Sequence, residues 1–237
     1  MNSQESATAF QFDRPPAVTL ETVELSTGTA PTAAVVWLHG LGADGHDFEP
    51  IVPHLLWPGA PDIRFVFPHA PVRPVTLNGG MKMRAWYDII DLSLGRDHDQ
   101  EGIIDSVNQV AALVARERER GIASERIVVA GFSQGGAIAL QLALRYPEPL
   151  AGLVALSTYL LMDDRLENDR HGANKSLPVF AGHGKSDPMV PCFLGEQLTG
   201  RLRGLGHEVE WHSYPMLHSV CPQEIADLSI WMKKCLS

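Results

Sequence analysis

The stretch Arg126-Ile-Val-Val-Ala-Gly131-Phe-Ser-Gln-Gly-Gly136 decides how this chain reads. Its first half is a short apolar run rich in β-branched residues, the pattern of a buried strand. Its second half is Gly-x-Ser-x-Gly, and from Gln134 to Arg145 the apolar residues recur at helical spacing until Tyr146-Pro147 ends them. Between a strand and a helix this motif forms a sharp turn that lifts a serine hydroxyl clear of a sheet, where a base can reach it. Glycines at 131 and 135 leave the room that such a turn needs against the neighbouring strand and helix. Ser133 is therefore the candidate nucleophile, and the rest of the chain is expected to alternate strand and helix.

Outward from the turn, residues 33–38, 63–67, 150–156 and 177–181 read as further strands, several too continuously apolar to have a wet face. Ile103, Ile104, Val107, Val110, Ala111 and Val114 recur at helical spacing, with Asp99 and Glu101 before them and Gly121 after. Helices are also expected over 195–203 and 223–234, the last carrying Ile225, Leu228, Trp231 and Met232 on one face. Residues 18–25 read as an antiparallel edge strand. The fold class is α/β, with a mostly parallel central sheet and helices on both faces. The domain plan is a flexible N-terminal arm over residues 1–16 and one domain over 17–237. Residues 72–100 fit neither period, carrying Pro74, Asn78-Gly-Gly80, Met83, Trp86 and Tyr87, and read as an irregular segment of the kind that serves function. Residues 162–176 read as a solvated surface loop, and Arg116-Glu-Arg-Glu-Arg120 as the solvated end of a helix.

Composition removes several classes of function. Nineteen Lys and Arg against 28 Asp and Glu give a formal charge of −9, which repels a phosphate backbone and argues against nucleic acid as a partner. No apolar run is long enough to span a membrane. Cys192, Cys221 and Cys235 are an odd set with no CxxC pair, and the first ten residues lack the charge and apolar centre of a secretory signal, so a cytoplasmic location is expected. His207-Glu-Val-Glu-Trp-His212 looks like H-E-x-x-H, but its spacing is one too long and it alternates like a strand; neither metal nor cofactor is expected. Gly40-Leu-Gly-Ala-Asp-Gly45 matches the dinucleotide fingerprint G-x-G-x-x-G, yet the next strand does not end in an acidic residue and His39 precedes the first glycine.

A nucleophile on this turn needs an acid and then a histidine, each on a loop after a later strand. Asp187 follows the run 177–181, and His218 follows the alternating run 208–214. Asp163, Asp164 and Asp169 lie in the polar stretch, His207 and His212 flank or occupy a strand, and His183 reads as structural. The oxyanion donors should be the backbone N–H groups of Gln134, next after the nucleophile, and of Leu41, in the loop after 33–38. Because Gln134 acts through its backbone, Gln134→Ala is expected to keep most activity.

Together, Leu38-His-Gly-Leu-Gly42, Met83-Arg-Ala-Trp-Tyr-Asp88, Gly131-Phe-Ser-Gln-Gly-Gly136, Ala155-Leu-Ser-Thr-Tyr159, His183-Gly with Asp187, and Tyr214-Pro-Met with His218 resemble the phospholipase/carboxylesterase family of α/β-hydrolases, which includes acyl-protein thioesterases. The resemblance spans roughly residues 18–236. It implies an α/β-hydrolase fold, a serine esterase acting through Ser133, Asp187 and His218, and oxyanion donors at Leu41 and Gln134. It further implies that the segment 72–100 is an acyl-binding flap, with Met83 and Trp86 facing Leu160 and Met189 in an apolar lining. The Arg-Ala-Trp-Tyr-Asp and Leu-Ser-Thr-Tyr elements are similar to bacterial carboxylesterases, whereas Met216-Leu-His-Ser219 is similar to thioesterase-like members. The expected partner is a small ester or acylated substrate, with lysophospholipase-type action or a non-catalytic acyl-binding module as alternatives. A homodimer is the assembly considered, with Trp57 or Trp231 as its exposed contact.

Overall fold

The computed structural model describes residues 10, 12, 19–90 and 99–237. Among the described residues nine strands run in chain order: β1 Thr22–Ser26, β2 Ala33–Leu38, β3 Ile63–Pro68, β4 Val72–Val75, β5 Met81–Arg84, β6 Ile127–Phe132, β7 Gly152–Leu156, β8 Val179–Gly184 and β9 Val209–Tyr214. The helices are α1 Val52–Leu55, α2 Gln100–Glu119, α3 Gln134–Arg145, α4 Asp163–Asp169, α5 Cys192–Gly204 and α6 Pro222–Leu236. Seven strands form one sheet in the order β1-β3-β2-β6-β7-β8-β9, with only the edge strand β1 antiparallel. Both the mostly parallel sheet and the antiparallel first strand match the sequence reading, although Val18 lies outside the described residues.

Alternation along the strands divides the core in two. Ala34, Val36, Leu38, Val129, Leu153, Ala155 and Ala181 face one side, packed under α2, α3 and α5. Val35, Trp37, Val128, Ala130, Val154, Leu156 and Phe180 face the other, under α1 and α6. Every residue of β2, β6, β7 and β8 is buried, because a parallel sheet covered by helices on both faces has no wet side.

Four expectations need correction. Residues 163–169 are a helix, α4, anchored by buried Leu166; seven residues with one apolar anchor are too few to display a period. In the same stretch Asn174 is buried, its amide donating to the carbonyls of Tyr146 and Glu148 and accepting from Leu150 N–H. Residues 72–84 are an antiparallel hairpin, β4 with β5, whose alternation is disguised because Val72 and Met81 are solvent-exposed. The charged run at the end of α2 is solvated except at Glu117, which is fully buried among Arg64, Arg116 and Arg120. Trp231 is buried against the sheet and Trp57 is half-buried on the same core, so neither offers the exposed contact considered for a dimer.

Of the N-terminal arm, Phe10 and Phe12 are described: Phe10 lies 4.7 Å over the Arg145 guanidinium, and Phe12 packs edge-on to Tyr146. The remainder of residues 1–16, and residues 91–98 of the expected flap, lie outside the described residues. Among the described residues no helix is long and apolar enough to cross a membrane.

Phe180 is fully buried between Trp231 and His212, with ring centroids 6.0 and 5.3 Å away. Phe180→Ala should lower unfolding free energy by about 3–5 kcal/mol in urea titrations, and a loss below about 1 kcal/mol would mean that this face of the sheet collapses around the gap.

Candidate active site

Ser133 stands between β6 and α3 with φ 54° and ψ −122°, a conformation that an L-residue rarely adopts. Three hydrogen bonds hold it there. Its N–H donates to Leu156 O at 2.9 Å, and its carbonyl accepts from Thr158 Oγ1 at 2.7 Å and from Ala137 N–H at 3.1 Å. The turn closes because Gly135 brings its backbone against the carbonyls of Leu38 and His39, while Gly131 packs on the backbone of Gly135 and Gly136. A Cβ at either position would overlap main-chain atoms that cannot move aside.

The two partners arrive from neighbouring strands. The loops after β8 and β9 carry Asp187 and His218, and these strands pair in parallel from Val179–Val209 through Gly184–Tyr214. His218 Nε2 lies 2.9 Å from Ser133 Oγ, and its Nδ1 lies 2.6 Å from Asp187 Oδ2. The carboxylate accepts the Nδ1 proton, leaving Nε2 as the acceptor facing the serine hydroxyl. Asp187 Oδ1 takes the N–H groups of Met189 and Val190 at 2.8 and 2.9 Å, so this side chain keeps both oxygens engaged. His183 is buried and donates from Nε2 to Val190 O at 2.8 Å, a support for the acid loop and the structural role read from the sequence. The Phe132 ring packs 4.7 Å from the His218 ring.

The loop after β2 is fixed by residues whose part the sequence does not reveal. His39 Nδ1 donates to Gly40 O at 2.7 Å, and its Nε2 accepts from Ala70 N–H at 3.0 Å. Burial pushes this imidazole down to about 4, so it is neutral, as an accepting Nε2 requires. The Gly40 carbonyl shares a rigid peptide plane with Leu41 N–H, so the His39 ring sets the direction of that N–H. The preceding peptide is held too, since Trp86 Nε1 donates to His39 O at 2.9 Å. Gln134 N–H, at the start of α3, is one of the helix's first-turn donors with no intrahelical acceptor. The Gln134 side chain, given no part by the sequence reading, accepts from Trp86 N–H and donates to Tyr87 O, both at 2.8 Å.

The expected apolar lining is only partly open. Trp86 is fully buried, its indole committed to His39, so it is a core residue and not a pocket wall. A large aromatic with one polar tip reads the same from sequence in either role. Met83 is half-buried beside Gly42, Leu160 is half-buried against the core, and Met189 is 62% exposed with Leu217 at 60%. The glycine-rich loop 40–45 does not open a helix, because the next one, α1, has four residues and starts at Val52; the dinucleotide reading fails on that geometry. His207 is buried near Leu177 O, and His212 lies within β9. Among the described residues no group of three or more His, Cys, Asp or Glu is placed to hold a metal ion.

The family model for Phospholipase/Carboxylesterase matches residues 21–236. Acyl-protein thioesterase 1 of Cryptococcus neoformans is 37% identical over 92% of this chain and 98% of its own, and that of Mycosarcoma maydis 40% over 89% and 94%. Among solved structures, Arabidopsis thaliana SOBER1 superposes with a TM-score of 0.81 at 30% identity, covering 86% of this chain and 99% of that one. Zea mays acyl-protein thioesterase 2 also gives 0.81 at 30%, over 92% and 100%.

Glu224, in the first turn of α6, packs beneath Gly182 of β8, and neither carboxylate oxygen has a hydrogen-bond partner of good geometry. Burial, partly offset by the nearby Cys221 N–H, pushes its carboxyl up to about 8 from the usual 4.5. The stability carried by the neutral form is full below about 4.5 and is lost as pH rises through about 8. Glu224→Gln should therefore melt progressively higher than wild type between pH 5 and 9, whereas a difference that stays constant across that range would show Glu224 already ionised in the fold.

Proposed function

The chain belongs to the phospholipase/carboxylesterase family, and from that premise we propose that it hydrolyses esters and thioesters of apolar acyl chains through an acyl-enzyme on Ser133. The carrying observation is the relay Ser133 Oγ to His218 to Asp187, at 2.9 and 2.6 Å, on a serine held in a strained turn. Relatives named as acyl-protein thioesterases support thioesters as substrates beside oxygen esters.

In the first half-reaction Ser133 Oγ attacks the acyl carbon as its proton passes to His218 Nε2. The new imidazolium is stabilised by Asp187, whose own loop bonds hold it in place. The carbonyl oxygen becomes an oxyanion, met by the N–H groups of Leu41 and Gln134. When the tetrahedral adduct collapses, the alcohol or thiol leaves with the proton from His218 and the acyl group stays on Ser133. Water then attacks the acyl-enzyme, gives its proton to His218, and the fatty acid leaves with Ser133 reprotonated. The thiol leaving group is the less basic, so acid assistance from His218 weighs more for oxygen esters than for thioesters.

The exposed side chains of Met189 and Leu217, flanking Asp187 and His218 in the chain, supply apolar surface for the acyl group, with Met83 on the side of the Leu41 loop. The described thiols Cys192, Cys221 and Cys235 are free, which supports a reducing, cytoplasmic setting.

Initial rates on p-nitrophenyl esters of increasing chain length, with matched acyl thioesters, test this reading. Ser133→Ala should lower kcat by about 10⁴ or more on every substrate, and Asp187→Asn by about 10⁴. A Ser133→Ala protein that keeps a tenth of wild-type turnover would remove the acyl-enzyme from the account.

A further inference from the structure

Gln134 is 1% exposed, and its amide is fully committed to a segment 47 and 48 residues distant in the chain. Trp86 N–H and Tyr87 C=O point at it across the gap between α3 and the strand end after the hairpin, and Ser106 Oγ donates to the Trp86 carbonyl from α2. The Trp86 indole then reaches His39 O, and the His39 ring holds the next carbonyl, that of Gly40. Two consecutive peptide planes of the Leu41 loop are thus pinned, one by a side chain that Gln134 orients and one by His39 itself.

Resting on the reading of Ser133 as nucleophile, we propose that the Gln134 side chain is a positioning residue for the oxyanion site: by fixing the Trp86 backbone it fixes the indole, and through it the His39–Gly40 peptide from which the Gly40–Leu41 plane, with its Leu41 N–H, continues. Gln134 then acts twice, its own N–H receiving the oxyanion while its amide aims the second donor. Glutamine suits both ends of this bridge because one side chain accepts from an N–H and donates to a carbonyl at the same time. An apolar replacement strands the Trp86 N–H and the Tyr87 carbonyl without partners in a buried place, and the segment must shift to satisfy them. The loss falls on the step in which charge develops on oxygen, so it appears in kcat and not in KM. This reverses the expectation that Gln134→Ala is nearly silent.

The test compares Gln134→Met, Gln134→Ala, Trp86→Phe and the double variant Gln134→Met/Trp86→Phe on one p-nitrophenyl ester, each with its melting temperature. Each single variant should lose about tenfold or more in kcat with KM within about twofold, and the double should be no more than about threefold below the worse single, because both break one chain of contacts. Wild-type kcat in either folded Gln134 variant, or losses in the double that multiply, would overturn the proposal. Trp86→Phe empties part of a fully buried site; should it fail to fold, the kcat of the Gln134 variants decides alone. Ser133→Ala run beside them separates the two ideas: turnover surviving there removes the nucleophile assignment, whereas a dead Ser133→Ala beside a fully active Gln134→Met removes only the positioning role.

Discussion

The positive φ of Ser133 is the constraint on which the site depends. It turns the chain from β6 into α3 so sharply that the hydroxyl stands above the sheet edge, at a cost of about 1–3 kcal/mol. The bonds from Ser133 N–H to Leu156 O and from Thr158 Oγ1 to Ser133 O offset that cost, each contributing about 1 kcal/mol. Both come from β7 and the residues just after it, so the strain is borne by the neighbouring strand. Gly131 and Gly135 let the turn close on backbone, and this contact brings the Leu38 and His39 carbonyls against the start of α3. Ser133 and the loop carrying Leu41 are therefore placed by one packing event.

Parallel pairing supplies the other two groups. Strands β6, β7, β8 and β9 lie side by side, so the loops after β8 and β9 emerge on the same sheet edge as Ser133. His218 and Ser133 are 85 residues apart in the chain, and no local preference could join them; the sheet register does. The buried neutral His39 and the loop-anchoring His183 show how much of the site is support for a few reacting atoms. Glu224 contributes differently, as a buried carboxyl beneath the strand that leads to Asp187.

The elements legible in the sequence are those with strong local signals. Strand β2 and helix α3 appear at their observed bounds because apolar period and flanking stops agree. The serine turn, with Asp187 and His218 on later loops, is legible because that chemistry fixes both residue types and chain order. What is not legible depends on a distant partner. Gln134 pairs with Trp86 and Tyr87, Glu117 with Arg64, and Asn174 with the carbonyls of residues 146 and 148; a polar side chain read alone looks solvated. Trp86 misleads for the same reason, since only the His39 carbonyl reveals that its indole is turned inward. The hairpin of β4 and β5 escapes because two of its apolar residues, Val72 and Met81, lie on the outside.

Every step of the proposed hydrolysis passes through the Ser133 hydroxyl. The most direct measurement is peptide mapping by mass spectrometry after labelling with a fluorophosphonate, which reacts with an activated serine and leaves a stable adduct in place of an acyl-enzyme. One adduct is expected, on the peptide containing Ser133, formed fast in wild type and slowed by orders of magnitude in His218→Ala. Labelling at another residue, or at Ser133 with equal speed when His218 is removed, would contradict it.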